Sequence, residues 1–171
     1  MPDVLEPAVS GRSRCRGCGA GIAKGAPRFG ECLANPYADG DTMIWYHPMC
    51  AAYRRPEPFL AALATSDLVD RDVLCEAARF SLAHRRVCRI GTLERAPSGR
   101  ARCRGCRQLI PRDALRIPLL FYEEGMFNAS GFVHLECAPG YFDSSDLLQC
   151  LQHFTPQMDP ADLREAAAVL R

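Results

Sequence analysis

The amino-acid sequence predicts an α+β fold made of two small metal-stabilised modules. Each is expected to be a short antiparallel sheet carrying a metal site and followed by helices. Three observations predict this. The 171-residue chain contains Cys15-x2-Cys18 followed by His47-x2-Cys50, and later Cys103-x2-Cys106 followed by His134-x2-Cys137; the halves of each set lie 28 and 27 residues apart. Sliding the sequence by 88 residues lays SGRSRCRGC from Ser10 over SGRARCRGC from Ser98, with Ile22 on Ile110, Lys24 on Arg112 and Arg28 on Arg116. Repetition at a fixed offset marks a duplicated unit. Each copy then runs into two segments with helical periodicity.

Three thiols and one imidazole are a complete tetrahedral set for zinc, and a closed set leaves no position open for a substrate. Two zinc ions per chain are therefore expected, one on Cys15, Cys18, His47 and Cys50, the other on Cys103, Cys106, His134 and Cys137. Units this small carry thin cores and often need such a staple. The sites read as structural, so recognition is expected rather than enzymatic activity. The sequence offers no nucleotide loop and no nucleophile–base constellation, and we assign no catalytic residue and no small-molecule substrate. The opening MPDVLEPAVSGR has no basic start and no apolar run, so no signal peptide is expected. No stretch approaches the ~20 apolar residues of a membrane span, so no membrane partner is expected. The expected location is cytoplasmic, nucleoid-associated in a bacterium or nuclear in a eukaryote, where reduced thiols bind metal in preference to pairing.

Along the chain, the first module is expected at residues 10–91 and the second at 98–171, with Pro97-Ser98-Gly99 as the linker. Glycine and proline punctuate the metal-bearing halves, which read as turns and short strands; Leu115 to Tyr122 reads as a strand. Pro56 to Thr65 carries Phe59, Leu60 and Leu63 at helical spacing. A second run, from about Asp70 to Arg86, sets Leu74, Ala77, Ala78, Ser81 and Leu82 on one face. In the second copy, Ser144 is expected to cap a helix carrying Leu147, Leu148, Leu151 and Phe154. Asp159 followed by Pro160 opens a last helix with a stripe of Leu163, Ala166, Ala167 and Leu170. These helices are read as covers for the core. Cys32, Cys75, Cys88 and Cys150 show no ligand spacing, and Cys75 and Cys150 read as small buried hydrophobes. His84 and His153 read as ordinary packing or surface residues.

The formal charge is +1. Six ligating thiolates and two zinc ions bring it to about −1, so no global field draws the chain onto nucleic acid. The local distribution differs. Residues 10–30 carry Arg12, Arg14, Arg16, Lys24 and Arg28 with no acid; residues 95–112 carry six arginines with no acid, and Arg116 follows. Lys24 is the only lysine, so arginine is this chain's habitual cation. The informative fact is its placement beside both Cys-x2-Cys pairs.

The spacing, together with the residues inside it, resembles the PARP-type zinc finger, found at the N-terminus of poly(ADP-ribose) polymerases and in eukaryotic DNA ligase III. The first copy reads GRSRCRGCGAGIAKGAPR and ends IWYHPMC; the second reads GRARCRGCRQLIPRDALR and ends GFVHLEC. The resemblance implies binding to DNA breaks, nicks or ends, by basic residues on the phosphate backbone and apolar side chains laid against exposed base pairs. Position by position, it implies backbone contacts at Arg12 and Arg28, and at Arg100 and Arg116, with Lys24 and Arg112 as neighbouring cations. It implies base stacking by Met126 and Phe127 in the second copy. In the first, the matching loop of residues 35–44 offers Tyr37 and Met43 for that role, with Ile44 beside them. Trp45 and Phe132 take the aromatic position before the histidine. The physics agrees, since a nick exposes a base face that an intact duplex hides, and stacking there is worth about 1–3 kcal/mol whichever base is met. The alternative is a zinc-stabilised protein–protein interaction module, or a subunit that targets a separate DNA-repair enzyme through its acidic C-terminal helices.

Overall fold

The computed structural model describes residues 1–170. It divides into two compact units, one of Met1–Ala83 together with Tyr122–Phe127, the other of His84–Phe121 together with the chain from Asn128 onward. The fold is α+β, with a three-stranded sheet and a Cys/His cluster in each copy and helices after each.

In the first unit, β1 (Val4–Pro7), β2 (Pro27–Ala34) and β3 (Asp41–Tyr46) form an antiparallel sheet in the order β1-β2-β3. The chain then enters α1 (Pro48–Arg54), α2 (Pro56–Leu63) and α3 (Arg71–Ala83). Both Pro48 and Pro56 stand in the first turn of their helices, where a missing N–H costs nothing. Phe29 is the centre of the core; its ring lies 5.5 Å from Phe59, edge to face, and 6.1 Å from Tyr46. Ile22, Ala51, Leu63 and Ala78 close around them with no exposure. Gly30 opposes Trp45 in the sheet, and a Cβ there would come within 2.6 Å of the Met43 and Trp45 side chains. Glycine is what lets those side chains lie across the strand.

The second unit starts with a 3-10 helix, Arg85–Arg89, and continues to β4 (Glu94–Arg95). Here the expected helix to Arg86 is corrected. α3 stops at Ala83, because His84 leaves helical geometry (φ −120°, ψ 75°) and the tighter 3-10 turn then buries Val87. β5 (Leu115–Glu123) pairs antiparallel with β4, and β6 (Met126–His134) completes the order β4-β5-β6. Between β5 and β6, Glu124 (φ 48°) and Gly125 (φ 78°) make a two-residue hairpin turn. α4 (Ala138–Phe142), α5 (Leu148–Phe154) and α6 (Pro160–Val169) follow. The core is Ile110, Ile117, Leu119, Val133, Leu135, Phe142, Leu147 and Leu151.

Asp159 caps α6 as its sequence indicates, accepting from the Ala161 N–H at 2.7 Å. Ser144 does not cap α5. Its hydroxyl accepts from Asp146 N–H at 3.1 Å in a local turn, and the helix begins later, with Leu147 at its N-cap position. Cys150 is buried as expected, Cys75 only half-buried, and all ten cysteines are free of disulfides. No helix among the described residues is long and apolar enough to cross a membrane.

Candidate metal centres and nucleic-acid interface

Each Cys-x2-Cys pair sits on a tight turn that the two copies build alike. Cys15 N–H donates to Ala20 O and Gly19 N–H to Cys15 O, both at 2.8 Å; in the second copy Cys103 N–H donates to Gln108 O at 2.8 Å and Arg107 N–H to Cys103 O at 2.9 Å. Arg16 N–H reaches Trp45 O, and Arg104 N–H reaches Phe132 O, both at 2.8 Å. These bonds tie the turn to the end of β3 or β6, from which His47 and His134 project toward the thiols. The fourth ligand comes from the helical segment beyond, Cys50 inside α1 and Cys137 just ahead of α4. Gly17 lets the turn approach α1, for a Cβ there would meet Cys50 Cβ at 2.9 Å.

The ligand atoms of Cys15, Cys18, His47 and Cys50 all lie within 4.8 Å of one another, and so do those of Cys103, Cys106, His134 and Cys137. His47 Nδ1 stands 3.5 Å from Cys18 Sγ and 4.0 Å from Cys50 Sγ; His134 Nδ1 stands 3.4 Å from Cys106 Sγ and 3.8 Å from Cys137 Sγ. A tetrahedral ion with Zn–S near 2.3 Å and Zn–N near 2.05 Å requires S···N edges of about 3.5 Å. The donor chemistry and the geometry both fit a metal ion and are consistent with zinc. His134 Nε2 lies 3.2 Å from Leu109 O, so an N–H there leaves Nδ1 as the free lone pair facing the thiols.

The thiols are poised unequally. The Cys50 thiol donates to Cys15 and Cys18, holding them down at about 6 and about 4 and pushing Cys50 itself up. Burial opposes ionisation of Cys103, but the N–H groups of Cys106, His134 and Gly105 outweigh it and bring the thiol to about 7. Burial, then the contact with Cys106, raises Cys137 to about 12. Thiolates at neutral pH are the form that binds metal.

The basic residues separate into two groups. Arg12, Lys24, Arg100 and Arg112 are exposed, and Arg112 has only a 3.9 Å contact with the exposed Asp113. Arg28 and Arg116, expected to contact a phosphate backbone, are instead 5% and 6% exposed and are spent inside the fold. Arg28 stands opposite Glu6 in the β1–β2 register and donates to it at 2.5 and 3.2 Å, donates to Ser13 Oγ at 2.5 Å, and lies 3.4 Å over the Trp45 ring. Arg116 stands opposite Glu94, donates to it from Nε at 2.8 Å, has Nη2 2.6 Å from the same carboxylate in an ion pair, and lies 3.6 Å over the Phe132 ring. Each is a buried brace between an acid on one side and an aromatic face on the other. Sequence reasoning missed Glu6 and Glu94. The 88-residue offset that aligns the cysteines also aligns these two acids, and it was the available signal.

The apolar candidates divide as well. Tyr37, in the loop between β2 and β3, is 94% exposed. Met43 is half-buried against Gly30. Met126 is 46% exposed, but Phe127 is half-buried, its ring 4.9 Å from Tyr122 and 5.5 Å from the Arg54 guanidinium. That hairpin tip belongs to the first unit. The Tyr122 hydroxyl donates to Glu31 at 3.2 Å, the Arg55 guanidinium lies 4.0 Å over the Tyr122 ring and also holds Glu31, and a Cβ on Gly125 would touch Leu33 and Ile44. Phe127, expected as a base-stacking residue, is therefore packed against Tyr122 and Arg54 in this structure and presents no free stacking face. Neither Tyr122 nor Glu31 carried any signal in the sequence.

No protein-family model matches the chain. It is similar to the poly(ADP-ribose) polymerase of Sarcophaga peregrina, with 24% identity over 200 aligned positions that take in all of this chain and 20% of that protein. It is similar to the poly(ADP-ribose) polymerase of Drosophila melanogaster, with 26% identity over 157 positions, 80% of this chain and 16% of that one. Similarity to poly(ADP-ribose) polymerase 1 of Oryza sativa subsp. japonica is 24% over 143 positions, covering 78% and 14%. The chain spans a fifth or less of the length of these relatives.

Proposed function

We propose that this chain is a zinc-dependent DNA-binding protein, a tandem pair of PARP-type fingers that recognises DNA structure at breaks, nicks or ends rather than base sequence. The observation that carries the reading is the duplicated Cys3His centre with exposed cations at matching positions, Arg12 and Lys24 in one copy and Arg100 and Arg112 in the other. The similarity to proteins named poly(ADP-ribose) polymerase supports it. Two zinc ions, one per centre, hold the Cys-x2-Cys turns, and the cations on either side of each turn bind phosphates. The base-stacking role falls to Tyr37, an aromatic ring held in solvent on a loop, with Met43 of β3 as the second candidate. Arg28 and Arg116 act indirectly, by bracing the sheet beneath each centre. A four-donor set has no open coordination position, which supports a binding role over an enzymatic one. The setting is the cytoplasm or nucleoid of a bacterium, or a eukaryotic nucleus.

One observation favours the second reading, a zinc-stabilised protein-interaction module. Within the first unit a cavity of about 540 Å³ is lined by Pro27, His47, Met49, Leu68, Val69 and Val73, and Val69 and Val73 are largely exposed. The two readings part in a salt series. Charge reversal at Arg12 and Arg100 should weaken binding to every duplex and reduce the log–log salt slope by about 0.9 for each lost phosphate contact. Unchanged affinity and slope would remove the DNA reading and leave the interaction module.

A further inference from the structure

The arginines of the 3-10 helix Arg85–Arg89 lie in the sequence between the two sets of metal-ligand residues, 15–50 and 103–137. From Ala77 to Leu93 the sequence has no acid. Arg85, Arg86 and Arg89 are all exposed. The Arg85 and Arg89 side chains form no hydrogen bond or ion pair among the described residues, in contrast with the internally paired Arg28, Arg55, Arg95 and Arg116.

The backbone beneath these residues is firmly set. Val87 and Ile90 are fully buried, Ile90 bridges to Leu119 of β5, and α4 packs against the turn. Arg86 is fixed by donating to Tyr141 O at 3.0 Å, with its guanidinium 4.9 Å from the Tyr141 ring. Asp143, the acid closest to Tyr141 in sequence, makes no ion pair with any of the three. Arginine heads cost entropy to immobilise, so a rigid turn with one head already fixed is a prepared anion site. In a 3-10 helix, residues i and i+3 eclipse with about 2.0 Å of rise per residue, so Arg86 and Arg89 share a face about 6 Å apart. One strand of duplex DNA presents a phosphate about every 3.4 Å along its axis, so that separation spans roughly two nucleotide steps.

We propose that Arg85, Arg86 and Arg89 form an additional phosphate-binding site for a nucleic-acid backbone, separate from the cations beside the metal centres. The site rests on the DNA-binding reading and adds a third contact region to it. It carries no base-edge reader, so it raises affinity for intact and broken duplex alike.

The test uses the full chain with Arg85→Gln and Arg89→Gln together, leaving the braced Arg86 in place. Neither side chain makes a hydrogen bond or ion pair among the described residues, so zinc content and thermal melting should match the parent. On a closed circular duplex the salt slope should fall by about 1.8, two phosphate contacts at about 0.9 each. Between 50 and 200 mM salt the parent's affinity should then drop about twelve-fold further than the variant's. A parent that binds and a variant with an unchanged slope would overturn this site and leave the DNA reading standing. A parent that binds no duplex would overturn both. If the double variant binds DNA normally but loses binding to poly-glutamate, the turn receives an acidic protein and the proposal is wrong.

Discussion

The two copies solve the same folding problem with different residues, and the differences show which parts of the unit are obligatory. Both use Cys-Arg-Gly-Cys turns, both place an acid, an arginine and an aromatic ring in one stack, and both bend the backbone into the left-handed region at the same two positions. The first copy puts Gly19 (φ 76°) and Gly25 (φ 82°) there; the second puts Arg107 (φ 68°) and Asp113 (φ 63°). Arg28 has Ser13 as well as Glu6, whereas the position matching Ser13 is Ala101, and Arg116 has Glu94 alone among the described residues. His134 has a partner in Leu109 O. The metal ligands and the brace are thus common to both copies, while backbone strain and the number of supporting bonds vary between them.

The largest effect is expected on removal of a metal ligand. Metal binding in such sites contributes on the order of 10–16 kcal/mol. Cys15→Ala should unfold the first unit and Cys103→Ala the second, each leaving one bound zinc ion by native mass spectrometry instead of two. Acid should act in the same direction. Cys50 and Cys137 hold their protons more tightly than free thiols, so metal loading releases protons and apparent affinity falls as pH falls. A chelator titration at two pH values reads this directly.

The braces come next. Removing an acid from beneath a buried arginine strands a charge, at about 2–3 kcal/mol. Glu94→Ala should cost more than Glu6→Ala, because Arg28 retains Ser13, and urea unfolding followed by a probe in each unit would rank them. Equal costs would mean that Ser13 contributes little.

Tyr37→Ala should cost about 1–3 kcal/mol of affinity on nicked DNA and almost nothing on a closed circle. Phe127→Ala should lower the melting temperature and alter binding to both substrates equally, since its ring is packed against Tyr122 and Arg54. A nick-selective loss on Phe127→Ala with unchanged melting would restore it as the stacking residue.

The smallest effects are expected at the left-handed positions. A non-glycine residue there carries a steric cost that glycine avoids, offset by glycine's greater unfolded-state entropy. Arg107→Gly and Asp113→Gly should each stabilise the second unit by about 0.5–1 kcal/mol, and Gly19→Ala and Gly25→Ala should destabilise the first by about 1 kcal/mol.

Much of this architecture was legible in the sequence. Ligand spacing and the 88-residue offset indicated both metal centres, helical periodicity indicated α2 and most of α3, and Asp159-Pro160 with its apolar stripe indicated α6. What remained hidden depends on contacts between distant residues. Arg28 reads as a surface cation until β1 folds back and sets Glu6 opposite it, 22 positions away. Phe127 reads as a loop aromatic because nothing near it announces that Glu31, Leu33 and Ile44 will receive the hairpin tip. Ser144 has the right chemistry for a cap, but it bonds to Asp146 in a turn before the helix starts.

Competition between singly nicked and closed circular forms of one DNA separates break recognition from plain duplex binding, because sequence, length and charge are then held constant. Zinc-loaded full chain at moderate salt should bind the nicked circle more tightly, by roughly the 5- to 150-fold that about 1–3 kcal/mol of stacking supplies, and should lose that preference with Tyr37→Ala. Equal affinity for the two circles would contradict break recognition and leave a protein that holds duplex DNA by its phosphates alone.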